Sequence, residues 1–316
     1  PTVEDSTFEA ATGLFLQFGV ASRIRATGAT AMALGSGPVR VENSVLRGRS
    51  AGLAQGEINS GDVTVSHVTI AGDGEPGSVG IRVEKGPGAF AALTSRLTVR
   101  NTLVTGFGVD LAHRGHAGAG TTGCGTNCRI SQVTDVDHSA LSSARVADGG
   151  GPGSLTLGPG IVDAGDLRLA DPAGADLRPR HDSPLVDAGD PAPLGSAPLY
   201  AGESPTDIAG GLRIVDGRPG GDPPARRDIG AHEYARAAPS VSLVLPDGPP
   251  LLYRLFPLAA TASDPDPFDP LTVAFAVDGR DAGTATSTTF TTLGVRTIRV
   301  TATDPTGLAA VAHRPG

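Results

Sequence analysis

The sequence predicts an all-β chain: a solenoid of stacked parallel coils over residues 1–159, a capping segment over 160–236 and a separate β-sandwich over 237–316. Three observations carry this. One short phrase recurs five times, a second phrase follows most copies of it, and apolar alternation restarts with a new rhythm after Ala238 and Pro239. With 45 Gly and 26 Pro in 316 residues, little room is left for long helices.

The first phrase reads VEDSTF from Val3, VENSVL from Val41, VSHVTI from Val65, VRNTLV from Val99 and VDHSAL from Val136. Its valines share one column, and Phe8, Leu46, Ile70, Val104 and Leu141 share another. Val39, Val63 and Leu97 stand two residues before their valines, so each copy enters as a period-two strand with its apolar face inward. Between the columns runs a polar one, Asp5, Asn43, His67, Asn101 and His138, after which the apolar parity changes. The strand must bend there. Asn and Asp tolerate the left-handed backbone of a bend, and stacked polar side chains can hydrogen-bond from coil to coil.

The valines are spaced by 38, 24, 34 and 37 residues, so the shortest interval suits a bare coil and the longer ones carry loops or, in the first case, an extra turn. The second phrase appears as GLFLQ (13–17), AGLAQ (51–55), VGIRVE (79–84) and GVDLA (108–112). Two recurrent strands in fixed order imply wound coils of parallel strands rather than hairpins. The pattern resembles the right-handed parallel β-helix repeat proteins.

From Gly160 to Tyr234 the rhythm gives way to Asp- and Gly-rich pieces. Ser183, Pro184, Asp187, Ala188 and Gly189 in SPLVDAG, Thr206, Asp207 and Ile208 in TDIAG, and Asp228, Ile229, Gly230, Ala231, Glu233 and Tyr234 in DIGAHEY resemble the C-terminal segment of β-helix proteins with a choice-of-anchor Q domain. Pro179 stands where that pattern prefers Leu. The family name refers to variable sorting signals at the C-terminus, and none is visible in this sequence. Physically, Asp-x-Gly punctuation is turn chemistry. Asp187, Asp207 and Asp228 are therefore expected to tie turns to backbone or to an arginine such as Arg213 or Arg227, the alternative being a catalytic carboxylate cluster.

The last segment alternates in short strands, VSLVL, LAATAS, LTVAFAVDG and VRTIRVTATDPTG, which argues an immunoglobulin-like sandwich. It resembles PKD-like domains, although Phe275 and Asp278–Gly279 replace their usual residues, and this implies a spacer or adhesive module. Asp264, Asp266, Asp269 and Asp304 are a candidate calcium set, with ordinary turn formation as the competing reading.

Charge and composition narrow the partners. With 25 basic and 33 acidic residues, a net −8 offers no basic face for nucleic acid. No apolar run spans a membrane. No leader is visible at the start, so a secretion signal is expected upstream. Aromatics are 4% with no Trp, which leaves few stacking platforms for sugars. Cys124 and Cys128, the only cysteines, are expected to form a disulfide, as suits an oxidising compartment. The alternatives are free thiols and a zinc set with His113 and His116, whose spacing fits zinc poorly.

Two functions follow as expectations. One is non-enzymatic: a secreted or surface-displayed β-helix that binds polysaccharide or another surface polymer, or acts as a stalk. The other is a polysaccharide lyase, hydrolase or epimerase using outward Arg40, Arg47 or Arg100 with His67 or His138. Those histidines occupy the bend column, which favours a structural role.

Overall fold

The computed structural model describes residues 1–56, 61–87, 92–119, 128–173, 175–196, 200–218, 224–248, 250–266 and 269–315. These contain 25 strands, one 3-10 turn at Ser143–Arg145 and no α-helix, so the fold is all-β. The chain falls into two compact units, Pro1–Asp216 with Pro223–Tyr234 and Gly217–Asp222 with Ala235–Gly316.

In the first unit a parallel ladder runs through Val3, Ala21, Val41, Val65, Val99, Val136 and Leu157. All five valines of the repeat share it. The ladder has two rungs that the phrase does not mark, Ala21 and Leu157. The 38-residue interval holds an additional coil, whose phrase reads ASRIRA from Ala21. Ala21, Val41, Val65 and Val99 are fully buried, whereas Leu157 on the last rung is 38% exposed. Burying a valine contributes roughly 1.5–3 kcal/mol, so the inner rungs hold the stack and the end rungs contribute less.

A second parallel ladder joins Phe8, Ala26, Leu46, Ile70 and Val104. A third joins Leu14, Met32, Leu53, Ile81, Leu111 and Val146, which are the strands of the second phrase. Their inward side chains meet in one narrow aliphatic core that includes Ile24, Leu34, Val68, Val83 and Phe107.

The first two ladders meet at the polar column. Asp5, Asn43, His67, Asn101 and His138 all have left-handed backbone, with φ of 49°, 49°, 54°, 46° and 40°. Arg23 of the additional coil has φ 51°. Asn and Asp adopt this backbone readily, whereas His and Arg cost about 1–2 kcal/mol each, so the column needs compensating bonds. Arg23 and Asp5 supply one locally, with Arg23 Nε donating to Asp5 Oδ1 at 2.7 Å.

Residues 160–236 were expected to cover the end of the coils. They begin as a continuation of the last coil, with Val162 bridged to Ala140, and then run along the flank. Leu103, Ala140, Ala164, Leu167, Leu185 and Ile229 share one small core, and Val45, Ala71, Leu177 and Ala231 share another. These flank residues on the coils are apolar and face outward, so a second layer must cover them. The segment is a strap along the side, and apart from Gly217–Asp222 and residues 235–236 it belongs to the same compact unit as the coils.

The second unit is antiparallel throughout its strand pairs. Ser240–Val244 pairs with Ala259–Ser263, Leu255–Pro257 with Ser287–Thr289, and Thr272–Val277 lies between Arg280–Gly283 and Thr297–Thr303, the latter also pairing with Ala309–Pro315. Leu258, Phe275, Ile298 and Val300 form its core.

Candidate functional site

The bend column is the line on which the strap is fastened. Asp190 N donates to Asn101 Oδ1 at 2.8 Å, and Asn101 Nδ2 donates to Tyr200 Oη at 3.1 Å. One coil earlier, His67 Nε2 lies 3.2 Å from Glu203 Oε1. One coil earlier again, Asn43 Nδ2 donates to Thr206 O at 3.0 Å and Arg213 Nη2 donates to Asn43 Oδ1 at 2.5 Å. The strap therefore advances against the order of the coils. Coil-to-coil contact between bend side chains also occurs, with Asn101 Nδ2 3.1 Å from His67 Nε2.

Two buried ion pairs organise the strap. Arg227 donates through Nε and Nη2 to the two oxygens of Glu203, both at 2.6 Å, and Arg213 Nη1 donates to Glu233 Oε1 at 2.8 Å. Burial, reinforced by Arg213, Arg227 and Arg40, holds His67 well below the ordinary imidazole range. His67 is thus held in its neutral form, with Nε2 placed between the Glu203 carboxylate and the Asn101 amide. Burial also pushes Asp228 up to about 7 and, with Asp228 as neighbour, Glu233 well above the carboxylate range.

Asp187, Asp207 and Asp228 tie turns, but to backbone amides. Asp228 accepts from Asp187 N at 2.7 Å and Tyr234 N at 2.6 Å, and Asp207 Oδ1 from Ala209 N at 2.9 Å and Gly211 N at 2.8 Å. Asp187 Oδ1 accepts from Arg226 N at 3.1 Å. Arg213 and Arg227 form their ion pairs with the two glutamates instead, because a glutamate can leave a turn and reach a guanidinium with both oxygens. His67 and His138 both hold bends. The ridge is a fastening.

Of the three arginines expected to face outward, two are engaged. Arg40 donates to Ala201 O at 2.8 Å, and Arg100 pairs with Asp137 at 2.9 Å. Arg47 lines a groove of about 590 Å³ on the edge where the second ladder ends, and its Nη1 is buried with no hydrogen-bond partner among the described residues. Glu9, Thr27, Arg47 and Ala71 occupy successive rungs there. Gly28, Gly48 and Gly72 also line the groove, and each must be Gly because the backbone packs closely there, a Cβ meeting the carbonyl oxygens of Ala10, Ala51 and Gly106 at 2.3, 1.8 and 2.3 Å. Arg49, Glu9 and Asp73 supply charge at the rim. The signal that could have revealed the groove was the recurrence of Gly at this corner, hidden by the different coil lengths.

The remaining candidates separate. Cys128 is buried and disulfide-bonded, while its expected partner Cys124 lies outside the described residues. Among the described residues of the zinc alternative, buried His113 bonds Thr134 Oγ1 at 3.0 Å from inside the coils, whereas His116 Nε2 lies 3.4 Å from Ala119 O near the surface. In the second unit Asp264 accepts from Asp266 N at 2.8 Å, and Asp304 from Leu308 N at 2.9 Å and Thr306 Oγ1 at 2.9 Å, which is turn chemistry. Among the described residues, the group of three or more side chains with metal-ligand geometry is Asp137, His138 and Asp190, and the calcium candidates are not in it. Comparison with protein-family models, curated proteins and solved structures finds no match to this chain.

Proposed function

We propose that the chain is a right-handed parallel β-helix protein of the bacterial exterior, with a choice-of-anchor Q-like strap and a PKD-like sandwich, and that it binds a polysaccharide or other surface polymer without cleaving it. The observation that carries this reading is the groove at Arg47. It crosses four rungs, about 14 Å at a rung spacing of about 4.8 Å, so it suits an extended chain more than a compact metabolite. Its one buried, unpartnered donor, Arg47 Nη1, favours an acceptor-bearing ligand such as a uronic acid or hydroxyl-rich glycan. Glu9 and Asp73 also line the groove, so cleavage of the polymer by a carboxylate pair is the second reading, and the assay below separates the two.

A glycan array probed with the full chain and with Arg47→Ala tests this. Binding to acidic polysaccharides that falls at least tenfold in Arg47→Ala is expected. Equal binding by both, or shortening of the bound polymer over time, would overturn it.

A further inference from the structure

We propose that Asp137, His138 and Asp190 form a binding site for a divalent transition-metal ion of the zinc or manganese class, which fastens the last bend of the coils to the strap. The site does not depend on the groove reading.

The three residues come from two places. Asp137 ends the strand Cys128–Asp137, His138 is the bend residue that follows, and Asp190 lies just past the SPLVDAG turn of the strap. One ligand atom from each lies within 4.8 Å of the others. His138 Nδ1 is 3.7 Å from Asp137 Oδ1 and 4.0 Å from Asp190 Oδ2. Those separations are too long for hydrogen bonds, yet two atoms so spaced can each reach a shared ion at about 2.0–2.2 Å. Asp137 Oδ1 and His138 Nδ1 are both buried with no hydrogen-bond partner among the described residues. Two of the three candidate ligand atoms thus lack a hydrogen-bond partner, while the third, Asp190 Oδ2, accepts from Tyr200 Oη. An unanswered buried acceptor costs about 1–3 kcal/mol, which a cation would remove.

The neighbours fit supporting roles. Arg100 Nη2 pairs with Asp137 Oδ2 at 2.9 Å and leaves Oδ1 facing the centre, and Arg100 Nη1 is 4.0 Å from Asp190 Oδ2. Tyr200 Oη donates to Asp190 Oδ2 at 2.8 Å, and Ala192 N donates to Asp190 Oδ1 at 2.9 Å. Such outer contacts orient ligands at metal centres. Two carboxylates against one guanidinium leave a net negative charge before any ion binds. The imidazole selects zinc or manganese over calcium, which prefers an all-oxygen set.

The test uses the full chain without an affinity tag, stripped with chelator and titrated with zinc and then manganese chloride by calorimetry. The comparison variant is His138→Asn, which preserves the bend because Asn43 and Asn101 hold the same conformation in the same column. One ion per chain is expected, bound at least tenfold more weakly by the variant, with its circular dichroism unchanged. Imidazole NMR on the wild-type chain keeps the test independent of the variant's folding: zinc should perturb His138 first. No uptake of either ion, equal affinity in the folded variant, or a zinc response centred on other histidines would each overturn the proposal. Uptake abolished by protonation alone, with a charged His138 filling the gap in metal-free protein at neutral pH, would overturn it as well.

Discussion

Arg227 lies with its guanidinium carbon over the Tyr200 ring, 4.3 Å from the centroid, while two of its nitrogens grip Glu203 at 2.6 Å. The Arg227 side chain is fully buried and that of Glu203 is 3% exposed. Both charges are thus removed from water, and their worth lies in what happens when one is left alone.

Arg227→Met is expected to destabilise the first unit by about 3–5 kcal/mol, because Glu203 would remain as an uncompensated buried charge. The double replacement Arg227→Met with Glu203→Gln should be less harmful than the single one. Urea titration of the variants measures both. Equal loss in single and double variants would show that the pair acts through shape alone.

Val65→Asp should destabilise by more than about 3 kcal/mol, since it places a charge in a fully buried column. Val3 stands on the first rung of the same ladder but is only partly buried, so Val3→Asp should cost markedly less. A similar loss at both positions in thermal melts would contradict the graded burial.

Arg23 tests the left-handed column away from the strap. Arg23→Val and Arg23→Asn both remove the ion pair with Asp5, but Val resists φ 51° and Asn does not. The Val variant should be the less stable by about 1–2 kcal/mol in chemical denaturation.

His232 gives a pH signature. Burial lowers it from the usual 6.5 to about 4 in the folded chain, although Asp207 opposes the shift. The unfolded chain then binds more protons between those values, so this histidine's contribution to stability is present above about 6.5 and lost as pH falls toward 4. Wild type should lose up to about 3 kcal/mol more than His232→Gln over that interval. The difference between the two isolates His232 from Asp228, which burial raises to about 7 and which acts with the opposite sign in both. A pH-independent difference would place the His232 proton equilibrium near that of the unfolded chain.

The main ladder was legible because it repeats valine opposite valine, and the bend because polar residues recur between two apolar columns. The coil at Ala21 was not, since Ala21 and Ala26 replace the large core residues and Arg23 replaces Asn or His at the bend. Its large core residues, Ile24 and Met32, both fully buried, stand at other positions than in the repeated phrase. The strap's course was illegible for another reason. Its direction is set by bonds such as Arg213 to Asn43 and Asp190 to Asn101, which join residues 170 and 89 positions apart. Local turn chemistry identified the aspartates and could not say which coil each turn would meet.

Because the strap touches Asn101, His67 and Asn43 in that order, it acts as a ruler laid along the stack. Gaining or losing a coil between Asn43 and Asn101 would move one anchor by a whole rung and leave a charged strap residue facing the wrong bend. Coils before Arg23 carry no such mark, for the bend there is closed by Asp5 from the neighbouring coil. Duplication and deletion of coils should accordingly be tolerated at the Asp5 side of the repeat array and rejected beneath the strap, so that the protein has one length it can vary and one it must keep.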